Sequence, residues 1–426
     1  MNHLRTSLLQ TGLLLIQTPI ALAATTWYVN GVNGSDSHNC ESPLTACKTI
    51  GHAISLAASG DAVTIGAATY VENVTIPVSL TVTGSGALGT IIDGNASGSV
   101  VKIPNASTHV TLSNLTLRNG WAVGGCAARG VAYIVPSCGG GVYNTGTLTI
   151  NNSVIISNVA RGRRCGPVPG PDLCIQYELY GFGGGISNSG TLTINRTTIA
   201  YNQAFGFEVA DGGGIYNRGK LTINASTLSG NRASEYPGTC SMCTSEGGGI
   251  DNVGTVEINN STLARNVTAS HGTYKREGGG IVSSGILSVH SSTVSGNLGG
   301  IVGAVTLQNS IVANNVSGGI PNVSGGINCN GPVTSIFSLS SDGTCHLNGP
   351  GDKNNANPRL GTLGYYGGPT RTIPLLSGSP AIDAGNPSGC TDGLGHLLRT
   401  DQRGLPRPDT EDKSGCDMGA YERQSD

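Results

Sequence analysis

Three acidic residues occupy the same place in a repeated pattern: Asp211, Glu246 and Glu277 each stand directly before a run of three glycines. If the repeat stacks these positions, three carboxylates share one column. Like charges so arranged repel, and such a column persists only if cations pair with it, if a carboxyl keeps its proton, or if the site uses it. Two chemistries fit. One is cleavage of an acidic polysaccharide, with Arg276 or His271 assisting; the other is an oxygen cluster able to hold calcium. Arg218, Arg232 and Arg276 lie close enough in sequence to supply plain ion pairs instead. No cofactor is expected, and calcium is the one metal that these residues suggest.

The same stretch of chain concentrates its aromatic residues. Five segments, 121–138, 159–182, 203–211, 232–246 and 267–277, enter after one fixed Asn and before the next glycine triplet. A shared insertion point puts all five loops on one face of a repeat structure. They carry Trp121, Tyr133, Tyr177, Tyr180, Phe182, Phe205, Phe207, Tyr236 and Tyr274. Loops on a rigid scaffold are where binding sits, and aromatic rings suit sugar surfaces or protein partners. The alternative is that these rings form small cores beneath their own loops.

The element that must position these residues is a 20-residue unit. It reads GGGVYNTGTLTINNSVIISN from Gly139, GGGISNSGTLTINRTTIAYN from Gly183 and GGGIYNRGKLTINASTLSGN from Gly212, with further copies from Gly247 and Gly278. Each unit holds three short apolar-alternating runs, which is strand periodicity. Three strands in 20 residues predict one coil of a parallel β-helix, with coils stacked about 4.8 Å apart. Leu148, Leu192, Leu221, Val256 and Leu287 then form one interior column, and Ile150, Ile194, Ile223, Ile258 and Val289 another. Asn158, Asn202, Asn231, Asn266 and Asn297 close successive units, and Asn144, Asn188, Asn217 and Asn252 open them. These either ladder through their amides or adopt turn φ values that other residues resist. Weaker coils extend the stack both ways, to about ten coils. Ile50, Ala53, Ile54 and Ala57 lie at helical spacing before Gly60 and predict a helix capping the first coil.

Arg5, the apolar run Leu8–Ile20 and the small-x-small triplet Ala21-Leu22-Ala23 read as an export signal, with Ala24 starting the mature chain. The run is too short to span a bilayer. The 12 cysteines fall as sequence neighbours, Cys40 with Cys47, Cys126 with Cys138, Cys165 with Cys174, Cys240 with Cys243, Cys329 with Cys345 and Cys390 with Cys416. In an exported chain that reads as six local disulfides. Only Cys240 and Cys243 have zinc-like spacing. A net charge of -2 gives no electrostatic case for nucleic acid or an anionic membrane.

The segment from Trp27-Tyr28-Val29 through Gly34-Ser35-Asp36, Cys47-Lys48-Thr49-Ile50, Gly60-Asp61 and Tyr70-Val71-Glu72 resembles the start of bacterial secreted pectate-lyase-like β-helix proteins. The glycine-rich coils are similar to polymorphic outer-membrane protein repeats. Asn357–Glu422, with LGTLGYYGGPTRTIPLLSGSPAIDAGN, TDQRGLPRP and CDMGAYE, resembles the choice-of-anchor Q module of bacterial surface proteins. These resemblances imply architecture and location, not a reaction. The Asp pairs and Gly-His-Gly of polygalacturonases, the Asp-Pro-His-Asp of alginate epimerases and the Gly-Gly-x-Gly-x-Asp calcium repeat are absent.

The expected protein is all-β: a right-handed parallel β-helix with an N-terminal capping helix and disulfide-stapled loops on one face. Its expected parts are a signal peptide (1–23), an N-terminal segment and cap (24–61), the β-helix (62–356) and a choice-of-anchor Q-like module (357–422). The expected function is glycan or cell-surface protein binding through the looped face, adhesin-like and non-catalytic. The alternative is a polysaccharide lyase or glycoside hydrolase. The expected location is secreted or at the bacterial cell surface, as a monomer without a membrane span.

Overall fold

The computed structural model describes residues 23–124, 136–162, 180–235, 243–269, 278–317, 327–409 and 415–425. Three parallel sheets of eleven, ten and nine strands wrap around one another, each pairing strands from successive turns of the chain. This is a parallel β-helix. The eleven-stranded sheet forms a long face. It begins at Thr26–Val29, which pairs with Ala62–Ile65, so the first strand belongs to the segment ahead of the expected boundary at residue 62.

The interior columns follow from period-2 alternation. Leu148, Leu192, Leu221, Val256 and Leu287 are register partners on successive coils, as are Ile150, Ile194, Ile223, Ile258 and Val289, and all are buried. At about 25 cal/mol per Å² of apolar surface, stacking bulky aliphatic chains in line supplies the main stabilisation.

The asparagines at the end of each unit form a buried ladder. From Asn158 through Asn202, Asn231, Asn266 and Asn297 to Asn315, each Nδ2 donates to the next Oδ1 at 2.9–3.0 Å. The left-handed φ values fall one residue earlier, on Ser157, Tyr201, Gly230, Arg265 and Gly296. The ladder, not an unusual φ, is therefore what requires Asn. A second ladder joins Asn144, Asn188, Asn217 and Asn252 at 2.7–2.8 Å.

The helix Ile50–Leu56 covers the first coil with Ile50, Ala53 and Ile54. Thr49 caps its start, and the Glu72 carboxylate accepts from the amides of Ile50 and Gly51. Cys40–Cys47, Cys329–Cys345 and Cys390–Cys416 are disulfides. Cys138 and Cys243 are also disulfide-bonded, to partners outside the described residues; the expected pairings of Cys126, Cys165, Cys174 and Cys240 lie outside them too. A cysteine in a disulfide has no thiolate to give zinc, which removes the metal reading at Cys243.

The segment from residue 357 onward lies along the flank of the helix. Gln402 bonds Thr227 and Thr262, Arg407 donates to Asn260, and the Ala420 amide donates to Thr293. Leu375, Ala381 and Met418 bury themselves against Ile311, Ala313 and Leu339. The most recognisable residues of the tail, in TDQRGLPRP and CDMGAYE, are thus the ones that hold it to the rod. Among the described residues no helix is long and apolar enough to cross a membrane.

Candidate functional site

The five insertions are more than loops. Their stems continue the stack as two further parallel ladders, one of five strands including Val159–Arg161, Gln203–Gly206 and Arg232–Glu235, the other of four including Tyr180–Phe182, Val209–Asp211 and Thr244–Glu246. The two ladders pack through Ala160, Ala204 and Ala233 on one side and Ala210, Ser245 and Ser137 on the other, all buried. Cross-ladder bonds run from Ser137 Oγ to the Arg161 carbonyl at 2.7 Å and from Ser245 Oγ to Glu235 at 3.0 Å. The result is a thin fin. The approach is closest-fitting at Gly181, where a Cβ would lie 2.3 Å from the Phe205 carbonyl oxygen, while Thr268 takes the inner position beside Ala233 and Glu235 is buried at the end of its strand.

The glycine triplets are explained at the neck of the fin. The first glycine takes a left-handed φ at Gly139, Gly183, Gly212 and Gly247, 66° at Gly212. The second passes so close to the outgoing strand that a Cβ on Gly213 would sit 2.3 Å from the Arg232 carbonyl carbon. Insertion and triplet go together because the outgoing strand runs over the returning one.

On the outer side of the four-stranded ladder, Phe182, Asp211 and Glu246 are consecutive register partners. The acidic column therefore exists for Asp211 and Glu246; Glu277 lies outside the described residues. The structure adds Asp251, from the neighbouring strand Ile250–Asn252 and buried. Burial first, then the charges of Asp251 and Glu246, push the Asp211 carboxyl well above the usual carboxylate range. Its Oδ1 is buried without a hydrogen-bond partner. Arg218 and Arg232, expected as ion-pair partners, form no salt bridge among the described residues; Arg276 and His271 lie outside them. Asp251 was invisible to a search before the glycine triplets because it follows one, in the position held by Ser187, Tyr216 and Val282 in neighbouring coils.

Three metal-ligating atoms within 4.8 Å of one another occur among the described residues only at Cys40, Cys47 and His52. Two of these are spent in a disulfide. The carboxylates of Asp211, Glu246 and Asp251 are not drawn together in that way.

The aromatic residues divide between the two faces of the fin. Trp121, Phe205 and Phe207 lie on the five-stranded side, with Arg161 between Trp121 and Phe205 and the two Phe rings edge to face at 6.4 Å. On the acidic side, Phe182 stacks on Tyr216 with centroids 4.6 Å apart, and Tyr180 lies 6.0 Å from Phe182. Burial, with Glu208 beside it, raises the Tyr180 hydroxyl pKa. All of these rings are half-buried. Tyr133, Tyr177, Tyr236 and Tyr274 lie outside the described residues.

A second surface was not singled out from the sequence. The long face carries outward threonines in register, Thr111, Thr149, Thr193 and Thr222, beside an outer amide ladder of Asn151, Asn195, Asn224 and Asn259. A shallow groove of about 290 Å³ crosses its early coils at Thr81, His109, Thr111, Thr147 and Thr149. The Thr-x-Thr spacing in TLTIN was the available signal. Toward the far end of this face His290 is 5% exposed, and burial lowers its pKa.

No family model and no curated protein matches the chain. Solved structures similar to it include the pectate lyase Pel9A, at 14% identity over 95% of this chain and 98% of that one, with a TM-score of 0.49. The pectin methylesterase PemA from Erwinia chrysanthemi is similar at 14% identity over 73% of this chain and 82% of that one, with a TM-score of 0.35. A rhamnogalacturonan lyase is similar at 11% identity over 68% and 74%, with a TM-score of 0.39. The fold rests on the strand register described above.

Proposed function

We propose that this chain is a secreted or surface-associated, non-catalytic β-helix protein that binds glycans through its fin. One observation carries this reading: half-exposed aromatic rings are fixed on both outer faces of a thin, ladder-paired fin. Rings already held by stacking and backbone pairing lose little freedom on binding, so more of their contact energy appears as affinity. Aromatic faces offer sugars a large apolar surface. Export is supported by the apolar leader and by cysteines that are all oxidised among the described residues. Affinity electrophoresis through gels containing a panel of soluble glycans tests the reading. Trp121→Ala combined with Phe205→Ala should weaken retardation by about tenfold or more, one buried ring being worth roughly a kcal/mol or two in such contacts. Unchanged retardation, or none by any glycan, defeats it.

An enzymatic reading is favoured by a separate observation. Burial and the charges of Asp251 and Glu246 raise the Asp211 carboxyl pKa well above the usual carboxylate range beside the Phe182–Tyr216 stack, the direction in which a general acid is prepared. It requires release of new chain ends from an acidic polysaccharide, with or without calcium, that Asp211→Asn abolishes.

A further inference from the structure

We propose that Arg161 is a preorganised receptor for a carboxylate on the bound glycan, so that the five-stranded side of the fin selects acidic sugars. The inference rests on the glycan reading above and names the class of glycan. The Arg161 guanidinium lies 5.3 Å from the Trp121 ring centroid and 5.4 Å from that of Phe205, rings that belong to the ladder strands before and after its own. Its residue is half-buried on the outer side of Val159–Arg161, since Ala160 takes the inner position. Among the described residues no hydrogen bond or ion pair engages the guanidinium.

The chain treats another ring-held arginine differently. Arg403 lies over Tyr421 at 3.7 Å and also donates to the Asp401 carboxylate at 2.7 Å. Among the described residues Arg161 has its ring contacts and no carboxylate. An arginine fork is planar, weakly hydrated and always charged, and it matches a carboxylate through two parallel N–H···O bonds. Contacts with the two rings restrict it and reduce the rotamer entropy that an exposed arginine loses on binding. Charge on the fin agrees with this. The same outer side carries the exposed Arg232, while Asp211 and Glu246 lie on the opposite side. A uronic acid residue brings both required parts, a ring face for Trp121 and a carboxylate for Arg161.

The test compares uronic-acid oligosaccharides prepared from alginate with the same oligosaccharides after their carboxyls are reduced to hydroxymethyl groups, in titration calorimetry. The wild type should bind the acidic form at least tenfold more tightly. Arg161→Gln should lose that difference and keep whatever affinity remains for the reduced form; Arg161→Lys should recover only part of it, because an ammonium lacks the fork. Circular dichroism identical to the wild type certifies the variants. Equal binding of both forms by the wild type, or an Arg161→Gln variant that still discriminates, overturns the inference and leaves glycan binding standing. Failure to bind either form or any neutral glycan of the panel overturns both. Polyglutamate bound as tightly as the acidic oligosaccharide, and lost in Arg161→Gln, overturns the assignment to a glycan.

Discussion

The rod and the fin are both parallel ladders wound by one chain, yet they are filled in opposite ways. Inside the rod, bulky residues such as Leu221 and Ile223 stack coil on coil and are fully buried. Inside the fin, Ala204 and Ala210 serve where the rod uses Leu and Ile, and Gly181 allows the two ladders nearly to touch. A wide core stabilises through the area it buries; a thin one stabilises through backbone pairing and tolerates no added volume. The rod is therefore the main source of stability and the fin a thin outgrowth held by strand pairing.

The largest expected effect lies in the rod. Ile223→Asp puts an unpaired charge into the interior column, at a cost of several kcal/mol, and should abolish folding. A soluble variant with wild-type circular dichroism would contradict the assignment of that column. Asn231→Ala should come next. It breaks the buried ladder between Asn202 and Asn266 and leaves polar groups unmatched, for about 1–3 kcal/mol, read as a lower denaturation midpoint. Ala204→Leu sharpens the contrast at the smallest scale. Overpacking costs roughly 1–3 kcal/mol, but here it should open the fin and spare the rod. Hydrogen exchange should quicken in Gln203–Gly206 and Val209–Asp211 and stay unchanged in Lys220–Asn224; acceleration in all three would mean that the fin is not a separate cooperative unit.

The flanking segment provides a pH test of how it is held. Burial raises the Glu422 carboxyl to about 7 and that of Asp417 to about 6. Both bind protons more tightly when docked than when released, so docking should be strongest below the ordinary carboxylate range and weaken as pH rises through about 6–7. Exchange protection of residues 415–422 measured across that window checks the sign. Protection that increases with pH would show that the pair with Arg407 outweighs burial.

Why the rod was legible and the fin was not has a physical reason. Leu148, Ile150 and their successors repeat every coil in an apolar alternation that only an interior column requires, so register could be read from spacing. In the fin, the alternation is between Ala, Gly or Ser inside and mixed residues outside, as in Val159-Ala160-Arg161 and Val209-Ala210-Asp211. Hydrophobicity carries no signal there, and the segments read as irregular loops. The acidic column of Asp211 and Glu246 could be foreseen because both residues are tied to the glycine triplet. Asp251 could not, because the spatial neighbour comes from the next coil and the far side of the turn. The Trp121–Arg161–Phe205 stack also crosses coils: each residue sits in a different insertion, and only ladder register brings them together.

The central claim is that binding occurs on the fin and the rod only carries it. Hydrogen exchange of the protein saturated with a glycan that retards it measures this directly, because protection marks the covered strands. Protection confined to Val159–Arg161, Gln203–Gly206 and their neighbours in the fin is the predicted result; protection centred on the threonine-lined long face, at Leu80–Gly84, His109–Ser113 and Thr147–Asn151, would contradict it.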